Sequence, residues 1–120
     1  MTEFDLEERT AKFGEKVIEF VNKIRKDEIT KPLINQLVRC ATSVGANYCE
    51  ADDAESASDF KHKVGICKKE SRESKHFLRM LAKAVPEAKT ELRHLWTEAK
   101  ELNLIFNSIY LKVGKKRFAN

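Results

Sequence analysis

Two Glu-x-x-His pairs, Glu73 with His76 and Glu91 with His94, come closest in this chain to the makings of a reactive centre. In helical bundles, two such pairs with further glutamates from other helices hold a di-iron site. A buried site needs its ligands to point inward. At about 100° per residue, Glu73 lies about 130° and His76 about 170° from the middle of their helix's apolar seam. His94 lies about 105° from its own. The pairs therefore read as solvated polar faces, and no metal is expected. His62 also falls on a solvent face, and no Cys or Ser is placed beside a histidine and an orienting carboxylate. A glycine-rich phosphate loop is absent from the sequence. The chain is expected to be non-enzymatic and to use no cofactor.

Three cysteines, Cys40, Cys49 and Cys67, lack zinc-ligand spacing. An odd number without an export signal points to free thiols. Cys40 and Cys67 fall on apolar helix positions and are expected in the core.

The remaining chemistry is electrostatic. Net charge is +4, but residues 1–26 are neutral, 27–55 carry −4, 56–84 carry +5 and 85–120 carry +3. Within the third block, Lys61, Lys68, Arg72, Lys75, Arg79 and Lys83 fall in a wedge of about 80°, roughly 110° from the seam and about 33 Å long. None of the six has an acidic residue three or four positions away on the same helix. Solvated helices usually interleave signs to gain i,i+4 pairing. Two readings stand open. Asp52, Asp53 and Glu55, or acids of another subunit, neutralise the stripe. Alternatively it tracks a phosphate backbone, in a largely sequence-independent and salt-sensitive way. No aromatic residue interleaves the stripe, so stacking of single-stranded bases is not expected.

The elements that must position these residues are helices. A 120-residue chain with 35% charged residues, four glycines and two prolines suits one domain of long helices, spanning 1–120. Leu6, Thr10, Phe13, Val17, Phe20 and Ile24 step by alternating fours and threes, which predicts a helix over about 5–26. Asp5 and Glu8 have capping-box spacing. Thr30 and Pro32 open a second helix, about 31–51, with a core face of Leu33, Leu37, Cys40, Val44, Tyr48 and Ala51. Ser56 or Ser58 caps a third, 57–84, whose seam is Phe60, Val64, Cys67, Ser71, Ser74, Leu78 and Leu81. The hydroxyls of Ser71 and Ser74 are expected to bond backward along the helix. Pro86 separates it from a fourth, 87–113, carrying Leu92, Leu95, Ala99, Leu102, Phe106, Ile109 and Val113, with Trp96 alongside. Gly114 is the expected C-cap. Short connections make this an all-α, antiparallel, up-down-up-down four-helix bundle.

Second apolar stripes lie off the main seams. Ile34, Val38, Ala41 and Gly45 line one side of helix 2, Phe4, Ala11 and Ile18 lie on helix 1, and Leu104 and Leu111 face away from the core of helix 4. Ile34, Val38, Ala41, Leu104 and Leu111 are expected at a subunit interface. No stretch approaches the roughly 20 apolar residues of a membrane span. The acidic start, MTEFDLEERT, lacks the order of a signal peptide, so a cytoplasmic location is expected.

The run Gln36-Leu37-Val38-Arg39-Cys40-Ala41-Thr42-Ser43-Val44-Gly45-Ala46-Asn47-Tyr48-Cys49-Glu50-Ala51 resembles the signature of a bacterial family, the proteins encoded in intervening sequences of 23S ribosomal RNA genes. The likeness continues through Ala54-Glu55-Ser56, Asp59-Phe60 and Lys69 to Leu78. Cys40 stands where that family usually has Ser, and Phe77 where many members have Trp. The resemblance implies a homopentamer of four-helix bundles. It also implies kinship with the accessory variability protein of diversity-generating retroelements, a basic pentamer that works with a reverse transcriptase and nucleic acid. Arg39, Asn47 and Glu50 match signature positions. They are expected to form a structural polar network tying helix 2 to helix 3 or to a neighbouring subunit, with ligand contact as the alternative. The expected partners are therefore further copies of the chain, RNA or another nucleic acid, and a reverse transcriptase or other protein. A protein-binding scaffold that touches no nucleic acid is the competing reading.

Overall fold

The computed structural model of the chain describes residues 5–119, with side chains described as far as residue 113. Four helices follow one another: α1 (Leu6–Lys23), α2 (Thr30–Asp52), α3 (Ala57–Ala84) and α4 (Lys89–Ala119). Each packs on its neighbours in the chain, and α1 closes against α4 over a shorter stretch, which makes an all-α bundle with antiparallel, up-down-up-down order.

The helix ends depart from the sequence pattern for local reasons. Helix α1 stops at Lys23, short of Lys26, because the backbone turns extended at Ile24. Lys26 then folds back, its ammonium donating to the carbonyls of Val21 and Ile24, as cations do at helix C-termini. Asp5 sits at the N-cap without a side-chain hydrogen bond, so the expected Asp5–Glu8 box does not form. The box exists at the next helix. The Asp27 carboxylate accepts from the backbone N–H of Thr30 at 2.8 Å, and Thr30 Oγ1 accepts from the N–H of Asp27 at 2.9 Å. Thr30 is thus the reciprocal partner three residues in, and Asp27 does the capping. Ser56 caps α3 through the N–H of Asp59. Val85, buried, ends α3 and a single 3₁₀ turn (Pro86–Ala88) leads into α4. That helix runs through Gly114 to Ala119 rather than ending at the glycine.

One continuous cluster of buried side chains fills the bundle. Phe13, Phe20, Leu37, Val64, Leu78, Leu81, Leu102 and Phe106 are all essentially inaccessible. Leu33 and Tyr48, expected in the core face of α2, are only partly buried at its edge. Ser71 and Ser74 lie in the middle of the α3 seam, fully buried, with hydroxyls donating backward to the carbonyls of Lys68 (3.0 Å) and Glu70 (2.9 Å). Small residues let α1 and α2 approach closely. A β-carbon on Gly45 would lie 3.4 Å from the backbone of Thr10, and one on Gly14 would lie 3.5 Å from Cα of Thr42.

This close seam corrects one expectation. Ile34 (9% exposed) and Ala41 (0%) are buried within the chain, so they are not part of an exposed stripe. A bundle helix packs against two neighbours and needs an apolar face wider than one seam. Val38 is half-buried, whereas Leu104 (57%) and Leu111 (54%) stand exposed.

Candidate nucleic-acid interface

Helix α3 carries the six basic residues along one flank. Arg72, Arg79 and Lys83 are exposed, and Lys61, Lys68 and Lys75 are partly covered. Asp52, Asp53 and Glu55 make no ion pair with any of them among the described residues. Lys68, Arg72, Lys75, Arg79 and Lys83 have no carboxylate partner within salt-bridge distance among the described residues. Lys63 of α3 and Arg39 of α2 differ in this respect. Lys63 pairs with Glu50 at 2.6 Å, and the hydrogen bond raises its pKa.

The covering groups come from α4. The ammonium of Lys61 lies 4.7 Å and that of Lys68 5.0 Å from the ring centre of Tyr110. Lys75 and Lys100 lie 5.8 Å and 5.7 Å from the ring centre of Trp96. Aromatic residues therefore do interleave the stripe, contrary to the expectation from α3 alone. The sequence signal was present on the other helix: Trp96 and Tyr110 are 14 residues apart, within about 40° of each other on α4.

Two open hollows mark this flank. One, of about 620 Å³, is lined by Gly65, Lys68, Lys69, Arg72, His76, Phe77 and Tyr110. Its single acid, Glu73, is engaged by Arg39 at 2.8 Å. The other, of about 440 Å³, holds Trp96 among Arg79, Lys89 and Arg93, with Leu78 and Leu92 below.

The expected polar network exists in pieces. Arg39 bridges α2 to α3 through Glu70 (3.1 Å) and Glu73 (2.8 Å). Burial pulls its pKa down, but the two carboxylates more than offset this and the net shift is upward. Glu50 bridges the same helices separately, through Lys63. Asn47 joins neither, since its amide donates to Ser43 of its own helix. The Glu-x-x-His pairs do not converge: Glu73 goes to Arg39 and Glu91 to Lys23. Among the described residues no cluster of three or more His, Cys, Asp or Glu is placed to hold a metal.

The sequence profile of the 23S rRNA-intervening sequence proteins matches residues 2–108. The chain belongs to that family. A solved structure from Bacteroides thetaiotaomicron, described as a protein of unknown function from the S23 ribosomal protein family, superposes with a TM-score of 0.76. It is 25% identical and covers 87% of this chain and 96% of its own. Comparison with the curated proteins finds no match.

The two positions that the family resemblance singled out, Cys40 and Phe77, both take part in the packing. Cys40 is buried, with its sulfur 3.3 Å from Oγ of Ser74, whose proton goes to the carbonyl of Glu70. Phe77 is partly buried, edge-on to His76 at 5.2 Å. On this family member, the exposed pair Leu104 and Leu111 lies about 90° around α4 from Trp96 and Tyr110. The apolar patch and the basic flank are thus separate surfaces. Among the described residues no helix is long and apolar enough to cross a membrane.

Proposed function

We propose that this protein is a non-enzymatic, oligomeric RNA-binding accessory protein that holds phosphate backbones along the basic flank of α3. One observation carries the reading: Lys68, Arg72, Lys75, Arg79 and Lys83 line one face without an acidic partner among the described residues. Clustered like charge costs stability unless an anion lies against it, and a polyanion is the ligand that repays it along such a length. The family description, which ties these proteins to 23S rRNA-intervening sequences, fits an RNA setting. Exposed Leu104 and Leu111 support self-assembly, a pentamer by family resemblance, through a surface that leaves the basic flank open. Repetition of the flank around a ring multiplies weak contacts into avidity.

The test is binding of generic RNA at about 50 mM salt and upward, with oligomeric mass read by light scattering. Affinity should fall steeply with salt. Changing Lys68, Arg72 and Arg79 together to Gln should keep helicity and mass while lowering the salt slope by about one unit per lost contact. Changing Lys12, Lys16 and Lys23 on α1 should do much less. Equal loss in both would make the effect one of net charge. No RNA binding by the wild type would leave the scaffold reading, with a protein such as a reverse transcriptase as its partner.

A further inference from the structure

We infer that the α3–α4 flank binds an unpaired RNA strand, with bases stacked on Tyr110 and Trp96 and the intervening phosphates on the cations of α3. The inference rests on the RNA-binding reading above and narrows it from generic polyanion to single strand. Three features of the fold point the same way.

The first is the pairing of each ring, itself partly buried against the core, with two lysine ammoniums. Tyr110 has Lys61 and Lys68 at 4.7 and 5.0 Å, and Trp96 has Lys75 and Lys100 at 5.8 and 5.7 Å. A phosphate draws a flexible lysine tip away from a ring, and a base then takes the vacated face. Base stacking gains more from an aromatic face than an exposed lysine does. The second is that room has been left for a ring over the helix. A β-carbon on Gly65 would lie 3.1 Å from Cε2 of Tyr110, so glycine at this position lets the ring lie low beside the hollow. The third is spacing. Gly65 and Arg79 are 14 residues apart on α3, as are Trp96 and Tyr110 on α4. Both intervals are about 21 Å, so the two rings stand toward opposite ends of the basic stripe, each beside its own hollow, with Arg72 between them. A free nucleotide would fill one end only. A duplex offers phosphates but keeps its bases stacked inside and away from the rings.

Trp96 is the sole tryptophan, which gives a direct reading in the unaltered protein. A single-stranded 12-mer RNA should quench its emission, and an RNA duplex of equal length should not. In anisotropy titrations, Tyr110→Leu and Trp96→Leu should each lose about tenfold affinity for the single strand, with duplex affinity unchanged and helicity intact by circular dichroism. Adenosine monophosphate at equal nucleotide concentration should compete poorly. Three results would overturn the inference while leaving RNA binding in place. One is unchanged Trp96 emission at saturation with the strand. The second is equal loss of strand and duplex affinity in both leucine variants. The third is competition by the free nucleotide as strong as by the strand. Absence of any RNA binding by the wild type would remove this inference and the broader reading together.

Discussion

Nη1 of Arg39 lies 3.1 Å from Oε2 of Glu70, while the other oxygen of that carboxylate is buried with no hydrogen-bond partner among the described residues. Glu70 is 6% exposed, and Arg39 is the cation that holds it there. The pair is asymmetric. Arg39 keeps Glu73 and Gln36 if Glu70 is lost, but the Glu70 carboxylate keeps no partner among the described residues if Arg39 is lost. Arg39→Met is therefore expected to cost about 2 kcal/mol, below the usual figure for a broken buried pair because the arginine is half-exposed. Glu70→Met should lie within about 1 kcal/mol of the wild type, since it removes the orphan oxygen as well as the charge. Urea denaturation of both variants checks this, and equal costs would show that the pair is not organised in this way.

Asp27 gives the bundle an acid-sensitive joint. Its carboxylate accepts from the N–H of Thr30 and of Ile29, and these bonds hold its pKa below the ordinary 3.8. A carboxyl group with a lowered folded-state pKa stabilises above its unfolded value, and that contribution is lost as pH falls through the folded one. Asp27→Ala should lower the thermal midpoint at neutral pH. The gap from the wild type should close on acidification below about 4. A gap that stays constant through this range would mean that the hydrogen bonds at the α2 cap do not depend on the charge.

The three thiols should separate cleanly in a labelling experiment. Burial pushes Cys67 up to about 12 and Cys40 upward as well, so both stay protonated and enclosed at neutral pH. Cys49 is exposed on α2. Ellman's reagent should titrate one thiol per chain in the native protein and three after denaturation. Cys49→Ser should abolish the native reaction. Rapid native labelling of Cys67 would mean that the α2–α3 seam opens far more readily than its packing implies.

The α3 seam and its serines could be read from spacing because each position depends on one helix's own periodicity. What depended on a second helix could not. Ile34 and Ala41 looked like a subunit stripe, since nothing in α2 says that its second apolar face is claimed by α1. Trp96 looked like a residue merely alongside the α4 seam, and Tyr110 drew no reading at all, since the lysines that meet them belong to α3. The α2 cap was misplaced by three residues because Thr30 is a good cap by type, and only the reciprocal bond with Asp27 shows which end of the box it occupies. The exposure of Leu104 and Leu111 was legible, because they lie opposite their own helix's core.

The loop-to-loop order of the helices also sets how the chain finds its fold. Each helix packs mainly on the next in sequence, so most of the contacts are local and little loop entropy is spent before they form. Among the described residues only the α1–α4 seam joins distant helices, and polar pairs such as Arg9–Glu98 and Lys23–Glu91 line it. Rapid collapse of the α2–α3–α4 zigzag, with α1 closing last and unlatching first, is the folding order this topology favours. The groove between α3 and α4 would then be in place before the bundle is shut.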